Sequence, residues 1–338
     1  MLNIDSKIRF VIQKHFDFNK FSYLKINTSD IQQVANINKR FNILINFEKI
    51  NNVRRINKFH ERVNLKLKDD DLYVICGETV EERRKRVWQK ALFGFKTLVR
   101  VIDFIYKRVF PKIPILKKLY FFITKGHNRV MSKAEILGRL ISCGFEIVDY
   151  FEYENLFYVI SKKISKPHYD MSPSYSPIFK MRRMGYKGNI IEVYKLRTMY
   201  PYSEYLQDFI IEENKLENSG KIANDYRVTN WGKFCRKYWL DELPMFINFF
   251  KRELSLVGVR PLSKGYFKKY PKELQKKRIL VKPGLVPPYY VDLPKNFTEI
   301  LDSEEKYIES KLKNPIYTDI KYFYKAFINI VFKGARSK

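Results

Sequence analysis

Asp241 and Glu242 stand side by side just ahead of Pro244, where the run Met245, Phe246, Ile247, Phe249, Phe250 takes on helical spacing. Two readings are open. In the plain one the acids start a helix: Asp caps it, Glu suits the first turn and proline is tolerated there. In the chemical one an ionised Asp241 beside cationic groups attacks a phosphorus atom and carries an acyl-phosphate. Glu242 then holds a magnesium ion, which takes one or two carboxylates together with substrate phosphates. Neighbouring helical residues do not point the same way, so the two acids would have different tasks. Cations for such a site occur on both sides in the sequence. Alternate residues of a strand share a face, which places Lys195 and Arg197 together, as a phosphate clamp or as part of a solvated basic strand. Arg260 is presented by a turn over Gly258–Pro261, and Lys282 opens the proline-rich loop VKPGLVPPYYVDLP.

These residues need elements to hold them. The segment IFKMRRMGYKGNIIEVYKLRTM reads as a hairpin turning at Lys187, Gly188 and Asn189, with Lys195 and Arg197 on its second strand. SLV at 255–257 reads as a short strand entering the Gly258 turn. The tail Asp319–Lys338 reads as a basic amphipathic helix that either packs on the core or touches a membrane.

Upstream the character changes. Apolar positions over about 52–66 have helical spacing, and DLYVIC at 71–76 reads as a buried strand ended by Gly77. Ser132 and Glu135 make the S-x-x-E pattern of a helix start, Gly144 ends that helix, and FEIVDY and LFYVISKK alternate as a hairpin about Glu154 and Asn155. Residues 83–125 hold thirteen Lys and Arg against one acid, Asp103, a net of +12. Between the charges lie Trp88, Leu92, Phe93, Leu98, Ile102 and Phe104, and Pro111 and Pro114 break the run. A basic amphipathic helix followed by a short apolar one suits a lipid headgroup region; the alternative is a pair of helices packed on the protein's own core. Residues 166–177, KPHYDMSPSYSP, have linker composition.

The whole chain, 338 residues with a formal charge of +29, suits polyanionic partners without choosing among them. No helix-turn-helix, zinc spacing or RNP motif points to nucleic acid. Three well-separated cysteines suggest neither a disulfide framework nor a zinc site, and a reducing cytoplasmic setting fits them. The N-terminal stretch has no signal-peptide pattern, and no run of 18 uncharged apolar residues exists, so no simple membrane-spanning helix is expected.

Taken in order, the chemical segments resemble the bacterial sugar transferase family, the monotopic phosphoglycosyl transferases. A K-x-[KR]-[ST]-M strand is matched by Lys195, Arg197, Thr198 and Met199. An arginine five residues before the acidic pair is matched by Arg236, and L-D-E-L by Leu240–Leu243. Asn248 follows Asp241 by seven residues. S-x-V-G-P-R-P is matched from Ser255 to Pro261, and P-G by Pro283 and Gly284. The resemblance covers roughly residues 173–290. It implies that Asp241 attacks the diphosphate of a nucleotide sugar, releasing a nucleoside monophosphate, and that a polyprenyl phosphate then takes the sugar phosphate. Glu242 would bind Mg2+ or help the acceptor, and Lys195, Arg197, Arg236 and Arg260 would neutralise phosphate. The chain departs from the family in four places. No long apolar helix precedes residue 173. Leu285–Tyr290 replaces the usual I-T-G-W-A-Q-V-N-G, Arg252 stands for a usual glycine, and Val259 for a usual proline.

Residues 40–163 also resemble, more faintly, the closing part of class I methyltransferase-like domains. No G-x-G loop follows a strand there, so no cofactor cradle or methyl transfer is expected. The expectation is an α+β chain. A mixed α/β accessory region spans 1–165, a linker 166–177, and a helix-rich transferase domain with a small sheet 178–338. It would act at the cytoplasmic membrane face as a peripheral or monotopic enzyme, or else serve as a non-catalytic scaffold of a polysaccharide assembly.

Overall fold

The computed structural model describes residues 4–90, 95–169, 176–214 and 225–333. Residues 170–175 of the expected linker, Leu92 and Phe93, and the last residues of the tail lie outside them. The chain forms two compact units, Met1–Tyr175 with Met199–Thr229, and Ser176–Thr198 with Asn230–Lys338. An α+β protein results, as the sequence led us to expect: a mixed five-stranded sheet in the first unit and a helix-rich second unit with small sheets.

The first unit runs α1 (Ser6–Gln13), β1 (Tyr23–Ile26), α2 (Ile31–Ala35), β2 (Ile43–Lys49), α3 (Ile56–Lys66) and β3 (Leu72–Gly77). Then follow α4 (Val80–Lys90), α5 (Lys96–Phe104), α6 (Pro114–Thr124), α7 (Lys133–Ser142), β4 (Phe145–Tyr153) and β5 (Leu156–Lys163); α8 (Gln207–Asn214) rejoins it later. Strands β1, β2 and β3 are parallel. The β4–β5 hairpin joins with β5 antiparallel beside β3, giving the order β1-β2-β3-β5-β4.

Every residue of β3 is buried, because it is central and covered on both faces. Tyr73 and Ile75 face a core with Phe59, Val63, Leu137 and Leu140. Leu72, Val74 and Cys76 face the α1 side with Ile8 and Ile12. That double covering is why the strand reads as an unbroken apolar run. Ser132 caps α7, its Oγ accepting from the Glu135 N–H at 3.1 Å. Glu154 and Asn155 take positive φ of 48° and 59°, the backbone that a two-residue hairpin turn requires.

The second unit begins with the hairpin of β6 (Ile178–Met184) and β7 (Ile190–Leu196), which turns through Lys187 and Gly188 at φ 54° and 78°. After α9 (Asn230–Lys237) and α10 (Met245–Phe250) come β8 (Ser255–Val257), α11 (Lys264–Phe267), α12 (Lys272–Arg278), β9 (Gly284–Val286), α13 (Tyr289–Asp292), α14 (Phe297–Lys313) and α15 (Pro315–Phe332). Strands β8 and β9 pair in parallel so closely at Gly258 and Gly284 that neither position has room for a Cβ. The buried Arg278–Glu304 pair, 2.7 Å, joins α12 to α14. The buried face of α15 is Thr318, Tyr322, Ala326 and Asn329. One side of the C-terminal helix therefore packs on the core.

Candidate active site

The acid pair lies in a short 3-10 turn, Leu240–Glu242, between α9 and α10. The plain sequence reading had Asp241 capping the helix that follows. Instead, Trp239 adopts φ 54°, which breaks the chain from α9, and Pro244 occupies the cap position of α10. The carboxylates are thus set by a tight turn rather than by a helix end.

Neighbouring elements converge on that turn. Lys195, near the end of β7, donates to Glu242 Oε1 at 2.6 Å. The other Glu242 oxygen accepts no bond among the described residues. Asp241 is half-buried, and this burial pushes its carboxyl above the ordinary aspartate range. Lys195 and Arg236 pull it down, and the Glu242 carboxylate pushes it further up. The chemical reading of the sequence took Asp241 as ionised; partial burial in a turn pushes its carboxyl the other way.

The two neighbouring cations are fixed by different means. Arg236, in the last turn of α9, donates from Nε to Thr198 Oγ1 at 3.0 Å. Asn248 is wholly buried and fastens α10 to β7: its Nδ2 donates to Glu192 O at 2.7 Å and to Glu253 Oε2 at 2.6 Å, and its Oδ1 accepts from the Tyr194 N–H at 3.0 Å. The residue seven places after the acid therefore sets the strand that carries Lys195.

Arg260 lies one turn beyond β8. Its backbone oxygen accepts from Arg278 at 2.8 Å, so the buried Arg278–Glu304 pair positions it. Its guanidinium lies over the Tyr289 ring, 5.8 Å from the centroid. Burial disfavours the Arg260 charge, but Tyr289 and Glu242 more than offset this, and the net direction is upward. Arg183 on β6 was not singled out in the sequence. Burial lowers its pKa, and so does the charge of Arg260. Among the described residues neither arginine has a carboxylate within ion-pair distance. Two guanidiniums that repel each other without an acid between them suit a polyanion such as a diphosphate.

The other expected cations have different surroundings. β7 ends at Leu196, and Arg197 beyond it donates from Nε to Ser176 O at 3.1 Å and lies over Phe179. Lys282 is exposed, and its ammonium makes no bond to the others among the described residues.

The loop that replaces the family's usual one also contributes. Tyr290 is buried, and its hydroxyl accepts from the Trp239 indole N–H at 3.0 Å. Asn329 of α15 donates to Tyr290 O and Val291 O, each at 3.0 Å, which holds α13 in place. Trp239 was not singled out in the sequence, and Tyr289 and Tyr290 were read only as part of the loop that departs from the family, because aromatics are common throughout the chain; only their clustering in space distinguishes them.

Glu242 fits a magnesium ion, since that ion keeps several waters and takes one or two carboxylates with substrate phosphates. No cluster of three or more His, Cys, Asp or Glu side chains among the described residues forms an all-protein cage.

Residues 167–333 match the bacterial sugar transferase family. A galactosyl transferase, CpsE, of Streptococcus agalactiae is 35% identical over 148 residues, 43% of this chain and 32% of that protein. The UDP-glucose:undecaprenyl-phosphate glucose-1-phosphate transferase of Escherichia coli K12 is 31% identical over 163 residues, 48% of this chain and 33% of that protein. The match thus spans about a third of the length of these relatives. A solved O-methyltransferase family protein from Burkholderia thailandensis superposes with a TM-score of 0.24 at 10% identity, covering 47% of this chain and 40% of that one, a likeness too slight to bear on the fold.

Proposed function

Residues 167–333 belong to the bacterial sugar transferase family, and on that premise we propose that the chain transfers a sugar phosphate from a nucleotide-diphospho-sugar to undecaprenyl phosphate, initiating a surface polysaccharide or glycoconjugate. The observation that carries this reading is the half-buried Asp241 carboxylate lying in the fields of Lys195 and Arg236 within the matched region. The name of the Escherichia coli relative supports the donor and acceptor classes.

In the first step an Asp241 Oδ attacks the sugar-bearing phosphorus. An Oδ–P bond forms, the P–O–P anhydride bond breaks, and its electron pair leaves on the nucleoside monophosphate. In the second, an oxygen of the lipid phosphate attacks the same phosphorus, the Oδ–P bond breaks, and Asp241 is regenerated as a carboxylate beneath a sugar-diphosphate lipid. Lys195 and Arg236 favour the ionised nucleophile against the effect of its burial, and Arg183 and Arg260 offset the donor's charge, because phosphoryl transfer rests on positioning and charge stabilisation. Glu242 would hold the magnesium ion, which when bound neutralises diphosphate charge.

The acceptor is a membrane lipid. No helix among the described residues is long and apolar enough to cross a membrane. The proposed place is the cytoplasmic membrane face; a membrane-surface location, on whichever side, is supported by α15, whose outward stripe of Ile316, Ile320, Tyr324, Phe327 and Val331 is exposed.

The test incubates wild type and Asp241→Asn with membranes, magnesium and a panel of UDP-sugars, and measures UMP. Release by wild type alone, with a sugar-diphosphate lipid formed, is the expected result. No release with any donor, in an assay where an authentic family member works, overturns the reading in favour of a scaffold that kept the fold.

A further inference from the structure

We propose that the helical pair α5–α6 of the first unit is a docking surface for anionic lipid. This does not depend on the reaction proposed above, and it concerns residues outside the family match. Leu98, Ile102 and Ile105 lie along one face of α5 and its extension, and Leu119, Phe122 and Ile123 along one face of α6. All six are exposed, Phe122 by 82%. The opposite side of the pair is already filled: Tyr120 is buried at 1% exposure and meets the Tyr106 ring edge-on, 5.5 Å between centroids. The outward apolar side chains are therefore surplus to the protein's own packing.

Charge identifies the occupant. The net of +12 over residues 83–125 contains one acid, Asp103. Both Asp103 oxygens accept from Arg83, at 2.6 Å each, so this carboxylate is spent holding α5 to α4. Just upstream, Glu78 is likewise engaged by Arg83 at 3.0 Å and Arg86 at 2.6 Å. Lys117, Lys118 and Lys125 remain exposed on α6 and its cap. A second copy of the chain would bring two segments of +12 face to face. A nucleic acid would leave the apolar stripe uncovered. A bilayer with anionic headgroups receives both: the apolar side chains enter the acyl boundary and the lysines reach the phosphates.

The experiment is flotation of the full chain with phosphatidylcholine vesicles, with and without phosphatidylglycerol, at low and high salt. A chain this basic binds anionic vesicles by charge alone, so the decisive comparison is a triple variant that keeps every charge, Leu98→Ser, Ile102→Ser and Phe122→Ser. Wild type is expected to float with phosphatidylglycerol vesicles and to keep part of that binding at high salt. The variant should lose about tenfold or more of the salt-resistant fraction, with its circular dichroism spectrum unchanged. Asp241→Asn should float like wild type, which separates this inference from the catalytic one. Equal flotation of wild type and the triple variant overturns the proposal. So does a wild-type dimer that the variant fails to form, which would assign the face to a second copy.

Discussion

Lys195 Nζ and Glu242 Oε1 lie 2.6 Å apart, tying the end of the β6–β7 hairpin to the turn that carries Asp241. The lysine holds one acid and lowers the pKa of the next. Removing it in Lys195→Met should leave Asp241 with burial and Glu242 both pushing its carboxyl up. Activity that needs the ionised nucleophile is lost as the pH falls through that value. The acid limb of the kcat profile is therefore expected to move to higher pH in the variant, and an unmoved limb would refute the coupling.

Asp241 also has a stability signature. Its folded-state carboxyl is raised, chiefly by burial. A raised group supports folding fully below its unfolded pKa, and that support disappears as the pH rises through the folded value. At neutral pH the ionised side chain is thus a liability to the fold. Asp241→Asn is expected to melt higher than wild type near neutrality, with the gap closing in acid, as thermal denaturation across that range will show.

Arg183 and Arg260 raise the question of what they share. If it is the donor diphosphate, Arg183→Ala should raise KM for the nucleotide sugar by about tenfold or more, with a smaller effect on kcat. Arg183→Lys should restore part of the loss. Steady-state kinetics with a soluble donor measures both, and an unchanged KM removes Arg183 from the site.

Arg252 follows α10 with φ 60°, a left-handed backbone that costs an L side chain but not glycine. Family members usually have glycine there, and the structure supplies the reason. Arg252→Gly should stabilise the chain by about 0.5–1 kcal/mol, the relief of strain being partly offset by a looser unfolded chain. Urea denaturation at constant slope is the measurement.

Gly258 and Gly284 face each other across β8 and β9, and a Cβ on Gly258 would come within 2.5 Å of Lys282 O. Gly284→Ala should force the strands apart and displace Arg260, with a loss of about 3 kcal/mol and of donor binding together. A variant as stable as wild type would contradict the close approach.

Much of this protein was written in local pattern. The unbroken DLYVIC run announced a buried strand, and Ser132 and the Glu154–Asn155 pair announced a cap and a hairpin turn. Each depends on chemistry within a few residues. The acid pair and the cations proposed to bind phosphate were legible as types at a spacing. Their arrangement was not, because it depends on what the chain meets far away in sequence. Trp239 breaks α9 into a left-handed turn and bonds Tyr290. Burial there outweighs the lowering effect of Lys195 and Arg236 on Asp241. Arg197, equal in type to Lys195, donates to Ser176 O and lies over Phe179, and the Lys282 ammonium makes no bond to that cluster among the described residues. Arg183 joins Arg260 although nothing in its own neighbourhood marks it. Spacing along the chain determined which groups this protein possesses; only strand pairing, burial and the meeting of distant elements decided which of them share a field.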